Sequence, residues 1–311
     1  MPATDLLVII NPLSGTLPLA QKEALRTFIA AEAEHHAFQP EIITTTHAGH
    51  ATELATQAAR QGIRRVLVMG GDGTINETAR ALRQTPTALG IIPMGSGNGL
   101  ARHLGIPMNP QKAVRKAMAG KPVLIDSAEL NDLPFFCTAG LGFEAYVAHE
   151  FANQPVRGLQ TYIKTAYQAF WRYTPAEYTI NGQPVGPLFS LTIANAAQFG
   201  NNAWIAPTAN IADGMLDLCQ IKPFPAPMAG LLGWRLFSKT LNSSPYWSCE
   251  RIQQATLHAP TDSVTGTEAP GTLLAHADGE PVLLRGDTCT VRILPEWAYP
   301  SPCIPTRPTI R

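Results

Sequence analysis

Short runs of apolar or β-branched residues alternate with longer amphipathic stretches along the first third of the chain. The runs, which are typical of buried strands, lie at residues 6–10, 41–46, 65–69 and 88–92. The stretches between and after them predict helices at residues 19–36, 51–61, 74–82 and 99–104. A fifth helix is bracketed by Asn109-Pro110 and Gly120, which are residue types favoured at the two ends of a helix. This alternation predicts a parallel sheet with helices on both faces.

The pattern changes near residue 121, beyond which the predicted strands are separated by short turns. Two of these turns, Asn131-Asp132 and Asn181-Gly182, are typical of β-hairpins. Further strands are predicted at residues 189–194, 216–221, 255–258, 271–275 and 290–294. Two helical insertions are expected among them, at residues 159–173 and 228–241. The second part of the chain therefore reads as an antiparallel, β-rich domain.

The change of pattern divides the 311 residues into two domains and a tail. We expect an α/β domain at residues 1–122 and a β-rich domain at residues 123–294. Residues 295–311 form a proline-rich tail that we expect to return to the N-terminal domain.

The balance of charged residues argues against one class of function, nucleic-acid binding. Lysine plus arginine and aspartate plus glutamate both number 23, so the formal net charge is zero. Nucleic-acid binding requires a basic surplus or stripe, and we therefore expect no nucleic-acid partner.

The cysteines and the apolar runs bear on location. The five cysteines are widely spaced and form no CxxC pair, which favours a reducing compartment. No stretch approaches the ~18 apolar residues of a membrane span, and the N-terminus lacks the pattern of a signal peptide. The expected location is the cytoplasm.

Candidate chemistry is concentrated in a glycine-rich loop. The segment VLVMGGDGTINE, residues 66–77, carries a strand into a tight turn and then directly into a helix. Glycines allow close approach of a ligand, and the N–H groups at a helix start favour phosphate. Asp72 would repel a phosphate, so it either binds a cation or a ribose hydroxyl or accepts N–H bonds that hold the turn.

Two further loops repeat this arrangement. IIPMGSGNGLARHL, residues 91–104, again runs from strand through a Gly/Ser/Asn loop to helix, and Asn11-Pro12-Leu13-Ser14-Gly15 follows the first strand. Ser96 and Asn98 are residue types that cap helices and contact phosphate. Loops that follow parallel strands meet at the carboxyl edge of the sheet, so the three loops are expected to form one site. No GxxxxGK[ST] motif is present, which excludes a P-loop protein.

The motifs NPLSG, GGDGTINE and PMGSGNGLA, in this order and spacing, resemble those of the diacylglycerol kinase catalytic-domain family. Asp213-Gly214-Met215-Leu216-Asp217 and Asp278-Gly279-Glu280 fit the family's motifs in its β domain, so the resemblance extends over essentially the whole chain. It implies a doubly wound α/β nucleotide domain like that of NAD kinases and phosphofructokinases, followed by an antiparallel β-sandwich. It also implies lipid phosphorylation with ATP and Mg²⁺.

The resemblance assigns nucleotide binding residue by residue. The implied ATP-binding residues are Asn11, Ser14, Gly15, Thr45, Gly71, Asp72, Gly73, Thr74, Asn76, Glu77, Gly95, Ser96 and Asn98. Ser96 stands where many relatives have threonine, which keeps a hydroxyl. Gly99 stands where many have aspartate, so one carboxylate is missing.

The catalytic base is left open among three carboxylates. The resemblance makes Asp278-Gly279-Glu280 the catalytic element, with Glu280 or Asp278 as the base, and glycine permits a turn that projects both carboxylates the same way. Asp72 is the third candidate, because some lipid kinases use the aspartate of GGDG. Outside the family context, Asp-Gly is an ordinary turn signal.

A structural Mg²⁺ site is also implied by the resemblance, with Asn210, Asp213 and the carbonyl of Met215 as its ligands. Asn210 occupies a position where a carboxylate is usual, and the lost negative charge should weaken metal binding.

We therefore expect an ATP-dependent kinase for diacylglycerol or a related lipid. A soluble-metabolite kinase of the NAD kinase type and a non-catalytic nucleotide-binding regulator are the alternatives. The expected partner is a lipid substrate at a membrane surface, and a homodimer is left open. The insertions at residues 159–173 and 228–241 mix aromatic and basic residues, and although packing on the β domain is the favoured interpretation, they would supply weak, apolar-driven membrane contact.

Overall fold

The computed structural model describes residues 5–15, 17–155, 158–260 and 271–294. The predicted tail at residues 295–311 lies outside them. The described chain divides into two compact units, and the boundary in the sequence lies between Ile125 and Asp126. Within these residues, no helix has the length and apolar character needed to cross a bilayer.

The first unit contains a parallel sheet of four strands. They are β1 (Leu6–Ile10), β2 (Pro40–Thr44), β3 (Arg65–Gly70) and β4 (Ala88–Pro93). Their order is β2-β1-β3-β4, with every neighbouring pair parallel. Strands β1 and β4 are buried throughout, as expected for a sheet covered on both faces.

Five helices cover this sheet: α1 (Leu19–His35), α2 (His50–Arg60), α3 (Asp72–Leu82), α4 (Gly99–His103) and α5 (Pro110–Ala119). Helix α1 packs with α5, and α2 packs with α3. At the start of α5 the side chain of Asn109 accepts the N–H of Lys112, which confirms the predicted cap. The direction of winding reverses between β1 and β3, and ligands of open α/β sheets bind at such a point.

The second unit is a sandwich of two antiparallel six-stranded sheets. One has the order β12-β11-β10-β7-β14-β15 and the other β6-β5-β16-β13-β8-β9. The strands of the first are β7 (Thr138–Gly142), β10 (Ser190–Ala194), β11 (Leu216–Ile221), β12 (Trp247–Ile252), β14 (Thr272–Ala277) and β15 (Glu280–Arg285). Those of the second are β5 (Ser127–Leu130), β6 (Leu133–Phe135), β8 (Ala176–Ile180), β9 (Gln183–Leu188), β13 (Gln254–His258) and β16 (Thr288–Leu294). The predicted fold class is confirmed.

Alternate residues of the two sheets face each other and form the sandwich core. Leu141, Leu191 and Leu218 come from one sheet, and Leu257 and Val291 from the other. The described residues of this unit also form three α-helices: α6 (Phe143–Ala152), α7 (Leu159–Phe170) and α8 (Ala229–Phe237). The two predicted insertions are helical, but both end earlier than expected.

The sequence pattern missed β7, α6, β12 and β15. Strands β12 and β15 lie at the two edges of their sheet, and no position of β12 is fully buried, which leaves little hydrophobic signal. Helix α6 follows β7 directly at Gly142, which supplies no side-chain cap to mark the boundary.

Candidate functional site

The loops after β1 and β3 are joined by Asn11. Its backbone N–H donates to the carbonyl of Met69 at 2.9 Å, and its side-chain amide donates to Thr74 Oγ1 at 2.7 Å. Its side-chain oxygen accepts the N–H of Leu13, and its carbonyl accepts the buried hydroxyl of Ser14. Asn11 therefore fixes the first loop against the first turn of α3.

Glycines allow the three loops to lie in backbone contact. Gly15 has φ +68°, and a Cβ there would lie 2.4 Å from the carbonyl oxygen of Met94. A Cβ on Gly95 would lie 2.9 Å from Gly71 Cα. The N–H of Met94 donates to the carbonyl of Gly70 at 2.8 Å. The predicted convergence of the loops thus results from contacts that no larger residue permits.

Asp72 joins the second loop to the third. Its two carboxylate oxygens accept the N–H groups of Asn98, at 2.8 Å, and Gly99, at 2.9 Å. Desolvation by burial raises the pKa of Asp72, while the two N–H groups and the Arg102 guanidinium act to lower it. Of the roles left open for this aspartate, the structure shows the one in which it accepts N–H bonds, and two of these come from the start of α4.

The prediction that the side chain of Asn98 caps α4 is wrong. Asn98 directly precedes α4 with φ 52°, but its side chain does not cap the helix. Its amide oxygen accepts the N–H of Gly95 at 3.0 Å, and its amide nitrogen donates to the Gly95 carbonyl at 2.6 Å. Asn98 therefore closes its own loop, and Asp72 supplies the cap.

The remaining predicted nucleotide residues differ in exposure. Ser96 is exposed, whereas Gly73, Glu77 and Thr45 are partly exposed. The backbone N–H of Thr45 donates to the Ile10 carbonyl at 2.8 Å, which places Thr45 beside the end of β1. Asn76 is 3% exposed, and its amide nitrogen has no hydrogen-bond partner among the described residues. A buried donor of this kind needs an acceptor from a ligand or a water molecule.

The Asp278-Gly279-Glu280 turn connects β14 to β15. The Asp278 carboxylate accepts the N–H groups of Phe136, Cys137 and Thr138, with shortest distances of 3.0, 2.7 and 3.2 Å. Glu280 is exposed at the first position of β15. The two carboxylates of the turn therefore have different surroundings, because Asp278 accepts three backbone N–H groups whereas Glu280 is exposed.

The side chains of two implied metal ligands, Asn210 and Asp213, accept hydrogen bonds from the protein. Asn210 Oδ1 accepts the N–H of Ala212 at 3.2 Å. Asp213 Oδ1 accepts the N–H of Met215 at 3.1 Å, and Asp213 Oδ2 accepts a hydrogen bond from the Arg251 guanidinium. No cluster of three or more histidine, cysteine, aspartate or glutamate side chains suited to a metal occurs within the described ranges.

Two family matches together span both units. Residues 5–130 match the diacylglycerol kinase catalytic domain. Residues 138–296, half of the chain, match the YegS C-terminal NAD kinase β-sandwich-like domain. The chain belongs to the YegS-like lipid kinase family. It is therefore a phosphotransferase by family, as expected from its motifs.

Similar proteins agree with this membership. A Chromohalobacter salexigens protein named "Probable lipid kinase YegS-like" is 34% identical over 230 residues, which cover 71% of this chain and 72% of that protein. One from Salmonella schwarzengrund, named "Probable lipid kinase YegS", is 33% identical over 190 residues, covering 58% of this chain and 64% of that one. A diacylglycerol kinase crystal structure from Bacillus anthracis has a TM-score of 0.73 at 20% identity, covers 98% of both chains, and shares the fold.

The YegS-like sandwich also holds a buried polar cluster that the sequence did not reveal. Glu144, in the first turn of α6, accepts hydrogen bonds from the hydroxyls of Ser190 and Thr192. Burial raises the pKa of Glu144 to about 7. A Cβ on Gly140 would lie 2.5 Å from Glu144 Oε1 and 3.1 Å from His276 Nε2, so the carboxyl group and the imidazole flank this glycine. His276 is 2% exposed, and burial lowers its pKa to about 4.

A signal for this cluster does exist in the pairing of strands. Ser190 pairs with Gly142, Thr192 with Gly140, and Gly140 with His276, so their side-chain positions share one face of the sheet. This face lies opposite the sandwich core and is covered by α6. Sequence periodicity alone does not give the register of three strands that are neighbours in the sheet but distant in the chain.

Proposed function

We propose that this YegS-like protein transfers the γ-phosphate of ATP to the hydroxyl group of diacylglycerol or a related lipid. The observation that carries this proposal is that three glycine-rich loops are in backbone contact at the edge of the sheet where the order of strand connections reverses. Loops of this composition, held in backbone contact and followed by helix starts, present N–H groups that suit a polyphosphate.

The nucleotide is assigned to the first unit. Asn11, Gly15, Gly71 and Gly95 shape the loops, and Ser96 offers an exposed hydroxyl. The unpartnered amide nitrogen of Asn76 supplies a buried donor beside them. Because the backbone supplies most of the donors, the binding of phosphate here requires few cationic side chains, which agrees with the low charged fraction of 15%.

We assign the base to Glu280. Glu280 is exposed at the first position of β15. The carboxylates of Asp278 and Asp72 hold three and two backbone N–H groups in place, which is a positioning role. Glu280 would accept the proton of the lipid hydroxyl while the hydroxyl oxygen attacks the γ-phosphorus and the bond to the β-phosphate oxygen breaks, which yields a lipid phosphate and ADP. Asp278 and Asp72 are positioning residues in this scheme.

Mg²⁺ is proposed to enter with ATP and to neutralise its phosphate charge. We assign it no protein-only site, because the described residues contain no cluster of three or more metal-binding side chains.

Contact with the membrane is assigned to α7 and the residue that follows it. Ile163, Tyr167 and Trp171 are 53%, 66% and 63% exposed and recur every four residues, so they form one apolar stripe. Lys164 lies next to the stripe, and α7 contains no acidic residue. An apolar stripe beside a cation suits the interface of an anionic bilayer.

The enzymatic test supplies labelled ATP together with mixed micelles of diacylglycerol, phosphatidylglycerol or sphingoid base, and with NAD in a separate reaction. We expect a phosphorylated lipid, identified by mass, and no product from NAD. Glu280→Gln should lower turnover by about two orders of magnitude or more while ATP still binds. Phosphorylation of NAD would favour the soluble-metabolite kinase, and ATP binding without transfer to any acceptor would favour the regulator.

The membrane test measures sedimentation with anionic vesicles of phosphatidylglycerol and phosphatidylcholine. Tyr167→Ser with Trp171→Ser should abolish most binding, while Leu124→Ser is the matched control, because Leu124 is an exposed leucine outside α7. Equal loss in both variants, or none in the double variant, would contradict the assignment to α7.

A further inference from the structure

The loop that would hold the structural Mg²⁺ of the family is closed by hydrogen bonds from the protein itself. Asp126 Oδ2 accepts the N–H groups of Asp213 and Gly214, at 2.9 and 2.8 Å. Within the loop, the side-chain oxygens of Asn210 and Asp213 accept N–H groups two residues further on. These bonds turn the oxygens towards backbone donors, although a divalent cation would require them to point at one common centre.

The positively charged side chain of Arg251 lies at the loop. Strand β12 pairs with β11 so that Arg251 stands opposite Asp217, and the Arg251 guanidinium forms an ion pair with the Asp213 carboxylate. Residues directly opposite each other on antiparallel strands have neighbouring side-chain positions, so Arg251 also lies beside Asp217. Arg251 therefore faces two carboxylates, one in the loop and one on the adjacent strand.

We propose that the guanidinium of Arg251 takes the place of the structural metal ion in this chain, so that the loop at residues 210–215 folds without a divalent cation. The replacement of a carboxylate by the neutral Asn210 fits this arrangement. The Asp213 carboxylate and the Arg251 guanidinium balance in charge within their ion pair, whereas the implied ligand set would give a divalent ion one negative ligand, Asp213. The inference concerns the fold of the second unit and does not depend on the proposed activity.

The test follows thermal unfolding of the full chain, without nucleotide, in EDTA and in millimolar magnesium or calcium chloride at constant ionic strength. The unfolding temperature of the wild type should be the same in all three solutions, because a ligand shifts it only by binding the folded state. The Asn210→Asp/Arg251→Gln double variant restores the carboxylate and removes the guanidinium. Its unfolding temperature should rise by several degrees with the metal.

A matched control removes a comparable ion pair elsewhere. Arg115 and Glu32 form an exposed pair in the first unit at 2.9 Å, and Arg115→Gln should leave unfolding independent of metal. Isothermal titration with Ca²⁺ gives a second measurement, in which we expect binding to the double variant and none to the wild type at this loop.

Two results would overturn the proposal. One is a metal-dependent rise in the unfolding temperature of the wild type that disappears in Asp213→Asn. The other is a folded double variant that still binds no metal, because the guanidinium would then not be what excludes the cation.

Discussion

The carboxylate of Asp72 accepts the backbone N–H of Asn98 at 2.8 Å, and this bond joins two glycine-rich loops that are 26 residues apart in the chain. The aspartate of the GGDG motif is thus bound to the loop after β4. Its other oxygen accepts the N–H of Gly99 at 2.9 Å, so no oxygen of this carboxylate is left without a backbone donor. The conformation of the loop after β4 therefore depends on a side chain from the loop after β3.

Replacement of Asp72 by asparagine should loosen this connection. The amide has one oxygen and presents an NH₂ group to a second N–H, so a buried donor loses its acceptor. We expect weaker ATP binding and a free energy of unfolding lower by about 1–3 kcal/mol. Titration calorimetry with ATP and urea denaturation measure these two effects.

If Asp72 were instead only the catalytic base, Asp72→Asn would keep its stability and its affinity for ATP and lose turnover alone. That outcome would also change the pH profile of kcat, which a positioning residue leaves in place.

The close approach of Gly71 and Gly95 predicts that a single methyl group disrupts the site. In Gly95→Ala the Cβ would meet Gly71 Cα at 2.9 Å and Asn98 Oδ1 at 3.0 Å. The two loops must then separate, and the variant should lose about 1–3 kcal/mol of stability together with most ATP affinity.

The same substitution at Gly230 is the control for this effect. Gly230 lies in α8 with nothing within 4 Å of its Cβ position. Gly230→Ala should be neutral or gain up to about 1 kcal/mol, because alanine favours the helix. Similar losses in both variants would refute the contact between the loops as the cause.

Because the Asp278 carboxylate accepts three backbone N–H groups, we expect its negative charge to stabilise the folded protein. Asp278 has φ 53°, a left-handed backbone that asparagine also tolerates, but an asparagine side chain would offer one oxygen to three N–H groups. We expect Asp278→Asn to lower the free energy of unfolding by about 1–3 kcal/mol, measured by urea denaturation. Glu280→Gln, at an exposed position of the same turn, should unfold like the wild type. The reverse order of stabilities would contradict the assigned roles.

The pair Glu144 and His276 predicts opposing pH effects on stability. Burial raises the pKa of Glu144 from 4.5 to about 7. The contribution of Glu144 to the free energy of unfolding is therefore complete below pH 4.5 and is lost as the pH rises to 7. Burial lowers the pKa of His276 from 6.5 to about 4, so its contribution is present above pH 6.5 and is lost as the pH falls to 4. Between pH 4.5 and 6.5 the two slopes have opposite sign and largely cancel.

Glu144→Gln should reveal the slope of His276. The stability of the variant relative to the wild type should increase by about 3 kcal/mol between pH 4.5 and 7, because all other titrating groups are common to both. Denaturant unfolding at a series of pH values gives this difference. A difference that does not vary with pH would show that Glu144 titrates normally in the folded protein.

The sequence by itself determined the sheet of the first unit and the residues from which the candidate site is built. Apolar runs separated by amphipathic stretches leave little freedom, because a strand such as β1 must be buried on both faces and the connections between parallel strands must be helices. The loops that follow these strands are consequently at one edge. Asn11, Gly71 and Gly95 could therefore be placed near one another from their positions in the chain alone.

Only the tertiary structure decided how those residues act. A carboxylate has no preferred partner in the sequence, and Asp72, Asp278 and Asp213 each bind a backbone amide or an arginine that lies 26 to 142 residues away. The edge strand β12 and the cluster around Glu144 likewise depend on register between strands that are distant in the chain. Such contacts arise from packing and desolvation, which local patterns of hydrophobic and polar residues do not encode.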